Sequence, residues 1–305
     1  MPEYAYLKKQ FMPLAEAKIS IMTHSLHYGT AVFEGIRGNW NAEKKQMYIF
    51  RLKEHYTRLF HGARVLKMNL LYSNEDLCNI TVELMRKSGF KEDAYIRPVA
   101  YKSSQALGLR LHGLEDDVFM LTIPWGRYLD VDVARCGVSS WIRPSDNVIP
   151  PRFKINGLYI NNSLAKTEAN DNGFDEAIML TPDGHVSEGS GENIFLVIDG
   201  QLITPSVDQS ILIGITRDTV IKLAKNELGI EVVERAVDRG ELYIAEECFL
   251  TGTAAHITPV SEIDHRLVGN GKIGLLTQKL QKIYFDVIKG NNPKYLDWCW
   301  PVYKK

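Results

Sequence analysis

The strongest constraint on the fold lies in residues 183–200, where two turn signals enclose an apolar run. Asp183-Gly184 and Asp199-Gly200 are dipeptides that favour tight turns next to strands. Between them, residues 193–198 read Asn-Ile-Phe-Leu-Val-Ile, which suits a strand that is covered on both faces. The segment therefore predicts a strand pair in the interior of a domain that contains a sheet.

Two acids, Glu188 and Glu192, stand beside this run and are separated by Gly189, Ser190 and Gly191. Small residues allow a sharp turn and a close approach of backbone to ligand, so such a turn can direct a carboxylate at one atom of a bound molecule. The alternative is an ordinary hairpin turn with two solvated acids. These residues alone leave both interpretations open.

Helical and strand patterns alternate along the chain. Ser73, with an acid three residues later, opens a predicted helix, and Gly89 ends it. Spacing and turn signals predict helices at 53–67, 73–89, 163–170 and 216–228, and strands at 94–101, 118–123, 176–180, 193–198, 230–234 and 249–251. We expect a mixed α/β (or α+β) fold with a smaller N-terminal domain at 1–123, an interdomain loop at 124–136, and a larger C-terminal domain at 137–305, with a cleft where the two meet.

Composition excludes several classes of protein. The 305 residues carry a formal net charge of −1, which argues against binding to nucleic acid or to an anionic membrane. The four cysteines are scattered without a C-x-x-C pair, so we expect neither a disulfide framework nor a structural zinc site. No apolar run of bilayer length and no leader pattern is evident. We expect a cytoplasmic protein.

Four features could hold a phosphorylated ring-bearing cofactor, and each has an ordinary alternative. Lys154, between an aromatic and a β-branched residue, could attack a carbonyl if partly desolvated, or could be a strand-edge charge. Arg58 could bind phosphate or lie on a solvated helix face. Thr216 begins a helix that could bind an anion, or merely caps it. The turn at 251–255 could present N–H groups to an anion.

Taken together, five motifs in order resemble the branched-chain amino acid aminotransferases of the pyridoxal-phosphate (PLP) fold-type IV class. They are His27–Arg37, Ala94–Pro98, Ser187–Asn193, Gly214–Asp218 and Gly252–Ala255 followed by Ile257–Val260. The resemblance extends from about residue 4 to about residue 288. It implies a two-domain fold with the active site at the domain interface.

The resemblance also implies a role for individual residues. Lys154 would be the catalytic lysine that holds PLP covalently, and Glu188 would keep the pyridine nitrogen of PLP protonated. Tyr159 would contact the phenolic oxygen of PLP. Arg58, Ile215, Thr216 and Thr253 would bind its phosphate, whereas Glu192 and Asn193 would shape the turn. Substrate would contact Tyr28, Phe33, Arg37, Tyr95, Arg97, Trp125, Tyr128, Thr253 and Ala254.

The implied reaction is reversible transfer of the amino group between L-leucine, L-isoleucine or L-valine and 2-oxoglutarate. The family also implies a homo-oligomer, either a dimer or dimers assembled into a hexamer, in which Tyr28 and the 104–112 loop reach a neighbouring subunit. Three alternatives remain: a D-amino acid aminotransferase, an aminodeoxychorismate lyase, and a non-catalytic binding module. Lys166 is interpreted as a surface or helix-packing residue, and His24 with His27 as hydrogen-bonding residues without metal.

Overall fold

In a computed structural model, residues 3–126 and 131–303 are described, and they fall into two compact units. Unit 1 takes its residues from Met1–Gly126, Phe153–Gly157 and Asp286–Lys305. Unit 2 takes its residues from Arg127–Arg152 and Leu158–Phe285. No helix among the described residues is long and apolar enough to cross a membrane.

Strands and helices are interleaved along the chain. In chain order they are β1 (Tyr4–Leu7), β2 (Gln10–Pro13), α1 (His24–Tyr28), β3 (Ala31–Phe33), β4 (Ile36–Asn41), β5 (Gln46–Phe50), α2 (Leu52–Val65), α3 (Asn74–Ser88), β6 (Ala94–Lys102), β7 (Asp116–Pro124), β8 (Ala134–Val138), α4 (Tyr159–Asp171), β9 (Glu176–Leu180), β10 (Val186–Gly189), β11 (Asn193–Ile198), β12 (Gln201–Pro205), α5 (Ile215–Leu228), β13 (Val232–Arg235), β14 (Glu247–Gly252), β15 (His256–Ile263), β16 (Arg266–Leu267), α6 (Leu275–Ile288) and β17 (Cys299–Pro301).

Unit 1 is built on an antiparallel sheet in the order β17-β5-β4-β6-β7-β1-β2, with β3 also paired to β6. The amphipathic helices α2 and α3 pack against each other and against this sheet. Tyr56 of α2, which is fully buried, hydrogen-bonds to Thr81 of α3 through its hydroxyl group. A capping box at Ser73 begins α3, and Gly89, in the left-handed region at φ 68°, ends it as predicted.

Unit 2 contains a mixed sheet in the order β10-β9-β8-β15-β14-β11-β12-β13, with β16 added to β15. Every residue of β11 is buried, as the apolar run at 193–198 predicts. Ile194, Leu196 and Ile198 enter one hydrophobic cluster. Between them, Phe195 stacks on Phe249, its direct partner on β14, with ring centroids 5.0 Å apart. The strand is therefore covered on both faces.

Candidate active site

Lys154 lies on a short segment of unit 1 that is fixed by its backbone to β3. Its carbonyl accepts a hydrogen bond from the Phe33 N–H at 3.0 Å, and Ile155 forms an isolated bridge with Val32. Gly157 approaches Gly29 so closely that a Cβ on Gly29 would lie 2.7 Å from the Gly157 Cα. The half-buried Lys154 side chain is therefore held on a backbone whose position is well determined.

Phe33 places an aromatic ring beside two cations. The Lys154 Nζ is 4.9 Å from the ring centroid, and the Arg97 guanidinium carbon is 4.4 Å from it. Arg97 also donates to the Tyr95 hydroxyl at 2.7 Å, and the Tyr95 ring meets Trp125 edge-on at 4.5 Å. These five predicted site residues form one connected cluster in unit 1. Its aromatic rings form an apolar wall, and the Tyr95 hydroxyl and the Arg97 guanidinium are polar groups on that wall.

Arg37 has its guanidinium directed at the backbone. It is 4% exposed and donates through Nη2 to the carbonyls of Trp125 at 3.1 Å and Gly126 at 2.6 Å. The Asp93 carboxylate lies 3.6 Å from the same nitrogen. Arg37 thus fixes the chain at the end of β7. Its predicted contact with substrate stays a prediction.

Arg58 is paired with a buried acid, so it does not lie on a solvated helix face. Its Nε and Nη2 each donate to the Glu34 carboxylate at 2.7 Å, and His55 donates to the same group from Nδ1 at 2.8 Å. Glu34 is fully buried. The sequence assigned no role to Glu34 or His55, although Glu34 lies in the His27–Arg37 motif and His55 lies three residues before Arg58.

Tyr28 connects α1 to the 104–112 loop. Its hydroxyl accepts from the Gly108 N–H at 3.0 Å. His24 hydrogen-bonds to the Gly108 carbonyl at 2.7 Å and to the Thr30 hydroxyl at 2.8 Å. Both ring nitrogens of His24 are thus used in hydrogen bonds. No group of three metal-ligating side chains occurs among residues 3–126 and 131–303.

In unit 2 both acids of the glycine-rich turn are 4% exposed, so the interpretation as solvated acids is wrong. Glu188 pairs with the buried Arg143 at 2.7 Å and accepts from Asn193 Nδ2 at 2.8 Å and the Leu212 N–H at 3.0 Å. Such partners compensate for the burial of a carboxylate and fix its orientation. Arg143 was missed, because no local pattern in the sequence marks it.

The start of α5 is shaped by the same Asn193. A Cβ on Gly214 would lie 2.0 Å from Asn193 Oδ1, so only glycine fits there. Gly214 is also the N-cap and makes no side-chain capping bond, which excludes Thr216 as the cap. Ile215 and the buried Thr216 form the first turn, where backbone N–H groups favour anions.

The remaining predicted residues of unit 2 lie at element ends. Tyr159 is the first residue of α4, and Thr253 and Ala254 form the half-buried turn between β14 and β15. Tyr128 lies outside the described residues. Thr251, just before this turn, has a buried hydroxyl for which the described residues supply no hydrogen-bond partner.

Lys166 and Glu192 belong to a polar group beside the glycine-rich turn at 189–191, in which Glu176 and Glu192 are buried and Lys166 is half-buried. Lys166 donates to Glu176 at 2.7 Å, which makes it a packing residue of α4 rather than a surface one. The Ser190 hydroxyl donates to the other Glu176 oxygen at 2.5 Å. Burial, and then the charge of Glu176, raise the pKa of Glu192.

Comparison with known proteins identifies the class. Residues 31–263 match the model of amino-transferase class IV, and the chain belongs to this family. A probable branched-chain-amino-acid aminotransferase of Aquifex aeolicus (strain VF5) is 52% identical over 304 residues, covering 99% of this chain and 98% of the relative. The branched-chain-amino-acid aminotransferase of Escherichia coli (strain K12) is 39% identical over 301 residues, with 97% and 96% covered.

Solved structures agree. The branched-chain aminotransferase of Thermoproteus uzoniensis with norvaline matches at a TM-score of 0.95 and 44% identity, covering 99% of this chain and 100% of that one. The branched-chain amino acid aminotransferase of Thermobaculum terrenum in its PLP-form matches at a TM-score of 0.94 and 39% identity, with 99% of each chain covered. The predicted fold class and cofactor are confirmed: the chain is a PLP-dependent aminotransferase.

Proposed function

We propose that this enzyme reversibly transfers the amino group between L-leucine, L-isoleucine or L-valine and 2-oxoglutarate. The observation that carries the proposal is the contact of Arg97 with Phe33 and Tyr95 beside Lys154. A transaminase of this kind must accept an apolar side chain in one half-reaction and a second carboxylate in the other. An aromatic wall that carries a guanidinium can meet both demands.

The residues fit PLP by their chemistry. We propose that Lys154 holds the cofactor, Glu188 faces its ring nitrogen, and Tyr159 its phenolic oxygen. The phosphate would be bound by Arg58, the first turn of α5 at Ile215 and Thr216, and the turn at Thr253. The support is a carboxylate with three fixed donors, a helix start whose cap is glycine, and a lysine on a fixed backbone.

When bound, PLP supplies an electron sink for the bond to the substrate Cα. The protein contributes proton handling and orientation. Once substrate has displaced it from the cofactor, the Lys154 amine would be the base that takes the proton from the substrate Cα and delivers it to C4′ of the cofactor. Glu188, whose carboxylate is paired with Arg143 at 2.7 Å, would stabilise a protonated ring nitrogen.

Substrate binding is proposed for the unit 1 cluster and for the β14–β15 turn. Arg97 would bind the distal carboxylate of glutamate, and Tyr95 with Thr253 and Ala254 the α-carboxylate. The apolar wall would hold the branched side chain. The residues proposed to contact substrate are Tyr28, Phe33, Arg37, Tyr95, Arg97, Trp125, Tyr128, Thr253 and Ala254.

We also propose a homodimer, or dimers assembled into a hexamer, in the cytoplasm. Support for self-association comes from an apolar surface of unit 1 formed by Ile21, Met22, Leu26, Leu107 and Leu109, each at least 39% exposed. Support for a reducing compartment comes from the four cysteines, which are all buried free thiols.

The assignment is tested by replacing Lys154 with alanine. We expect K154A to lose the absorbance change that leucine causes in the PLP-loaded enzyme, and to lose turnover with 2-oxoglutarate. The exposed Lys91→Ala serves as the control and should behave as wild type. Borohydride reduction and peptide mapping should place the cofactor on Lys154. Cofactor on Lys166, or an active K154A enzyme, would refute the assignment.

A panel of amino donors distinguishes a D-amino acid aminotransferase from the proposed enzyme, and a product assay distinguishes an aminodeoxychorismate lyase.

A further inference from the structure

Glu34 lies between two residues that position predicted site residues of unit 1. On one side, the Phe33 N–H donates to the Lys154 carbonyl at 3.0 Å. On the other side, a Cβ on Gly35 would come within 2.5 Å of the Tyr95 hydroxyl, so glycine leaves the room that this hydroxyl occupies. The acid between them is fully buried and has no part in the mechanism proposed above.

The Glu34 carboxylate takes three charge-assisted or polar hydrogen bonds from α2. Two come from the Arg58 Nε and Nη2 at 2.7 Å, and one from the His55 Nδ1 at 2.8 Å. His55 and Arg58 are three residues apart, so they project from the same face of the helix. The bidentate pairing occupies the side edge of the guanidinium and therefore fixes its plane.

The protonation states of this cluster follow from its partners. Burial alone would raise the pKa of Glu34, but the charge and hydrogen bonds of Arg58, followed by those of His55, outweigh it and lower this pKa to about 2. Burial lowers the pKa of His55 despite the nearby acid. At neutral pH a neutral His55 thus faces an ionised Glu34, and its proton must lie on Nδ1.

We propose that Glu34 is a positioning residue for cofactor binding: it fixes the guanidinium plane of Arg58 for the phosphate of PLP, and His55 fixes Glu34. This inference rests on the proposed role of Arg58 at the phosphate. Removal of the Glu34 carboxylate would leave the guanidinium plane of Arg58 unfixed. Every residue proposed to contact PLP would still be present.

The test compares two probes that differ only in phosphate. Apo-enzyme is titrated with PLP and with pyridoxal, following the cofactor absorbance. In Glu34→Gln an amide NH₂ group replaces one carboxylate oxygen and faces an N–H donor of Arg58 or His55. The guanidinium plane of Arg58 is then no longer fixed, so we expect the dissociation constant of PLP to rise about tenfold or more. That of pyridoxal should stay unchanged. Glu54→Gln, a half-buried neighbour on α2 that is paired with Arg51 and makes no hydrogen bond to Glu34, is the control and should change neither.

Arg58→Ala separates failure of this inference from failure of the phosphate assignment. If R58A binds PLP as wild type does, the assignment of Arg58 is wrong. If R58A weakens PLP binding and E34Q does not, or if E34Q weakens the binding of PLP and pyridoxal equally, the positioning role is wrong.

Should E34Q not fold, His55→Ala and His55→Asn replace it. H55A should weaken PLP selectively, and H55N, which keeps a donor near the Nδ1 position, should restore binding; equal binding by both variants would overturn the proposal.

Discussion

At the scale of single residues, buried charges in this enzyme are held in pairs. Glu188 is paired with Arg143, Glu34 with Arg58 and Glu176 with Lys166. Each pair avoids the large cost of an isolated buried charge. Glu192 differs, because its buried carboxylate lies near Glu176 and its pKa is raised.

The raised pKa of Glu192 predicts a pH-dependent stability. Its unfolded pKa is near 4.5, so in the folded protein it keeps a proton that the unfolded chain releases above that pH. The folded state therefore loses stability as the pH rises above about 4.5. We expect Glu192→Gln to reduce this loss, measured as the urea midpoint of apo-enzyme at pH 5.5 and 7.5.

Glu43→Gln, an exposed acid between β4 and β5, provides the matched control and should leave the pH dependence as in wild type. An E192Q variant whose midpoint changes with pH as steeply as that of wild type would show that Glu192 titrates normally in the folded state.

At the scale of elements, local signals place the helices and strands well. The predicted helix at 53–67 is observed at Leu52–Val65, and the strands at 176–180 and 193–198 coincide with β9 and β11. Helix ends are set within one turn by caps, so they can be read from neighbouring residues. The predicted strand at 230–234 is shifted to Val232–Arg235, because its register is set by pairing with β12.

The capping box of α3 supports a stability prediction. Ser73 Oγ accepts from the Asp76 N–H at 3.1 Å, and Asp76 accepts from the Ser73 N–H at 2.8 Å. Ser73→Ala removes the first bond and should lower the free energy of unfolding by about 1 kcal/mol. Chemical denaturation measures the change, and Ser73→Thr, which retains a capping oxygen, should lose less. Equal losses in the two variants would argue that the cap contributes nothing.

At the scale of the whole molecule, the apolar surface of unit 1 predicts self-association. The Thr23–Gln105 bridge joins the segment carrying Ile21 to the 104–112 loop, where Leu109 is 84% exposed. We expect a dimer or larger assembly in light scattering, and a shift toward monomer in Leu109→Lys, because a buried charge at the interface is costly. Leu71→Lys, at a leucine that is 75% exposed and is not among these five residues, should keep the wild-type mass. A monomeric wild-type enzyme would contradict the prediction.

The sequence by itself determined the ends of α3 and α5, the doubly covered strand β11 and the motifs of the family, because these depend on residues close together in the chain. Only the tertiary structure decided which buried groups meet. Glu34 and Arg58 are 24 positions apart, and Arg143 and Glu188 are 45 apart, so no local pattern joins them. The same holds for β17, which pairs with β5 across most of the chain. Burial creates the demand for a partner, and the fold alone determines which partner is within reach.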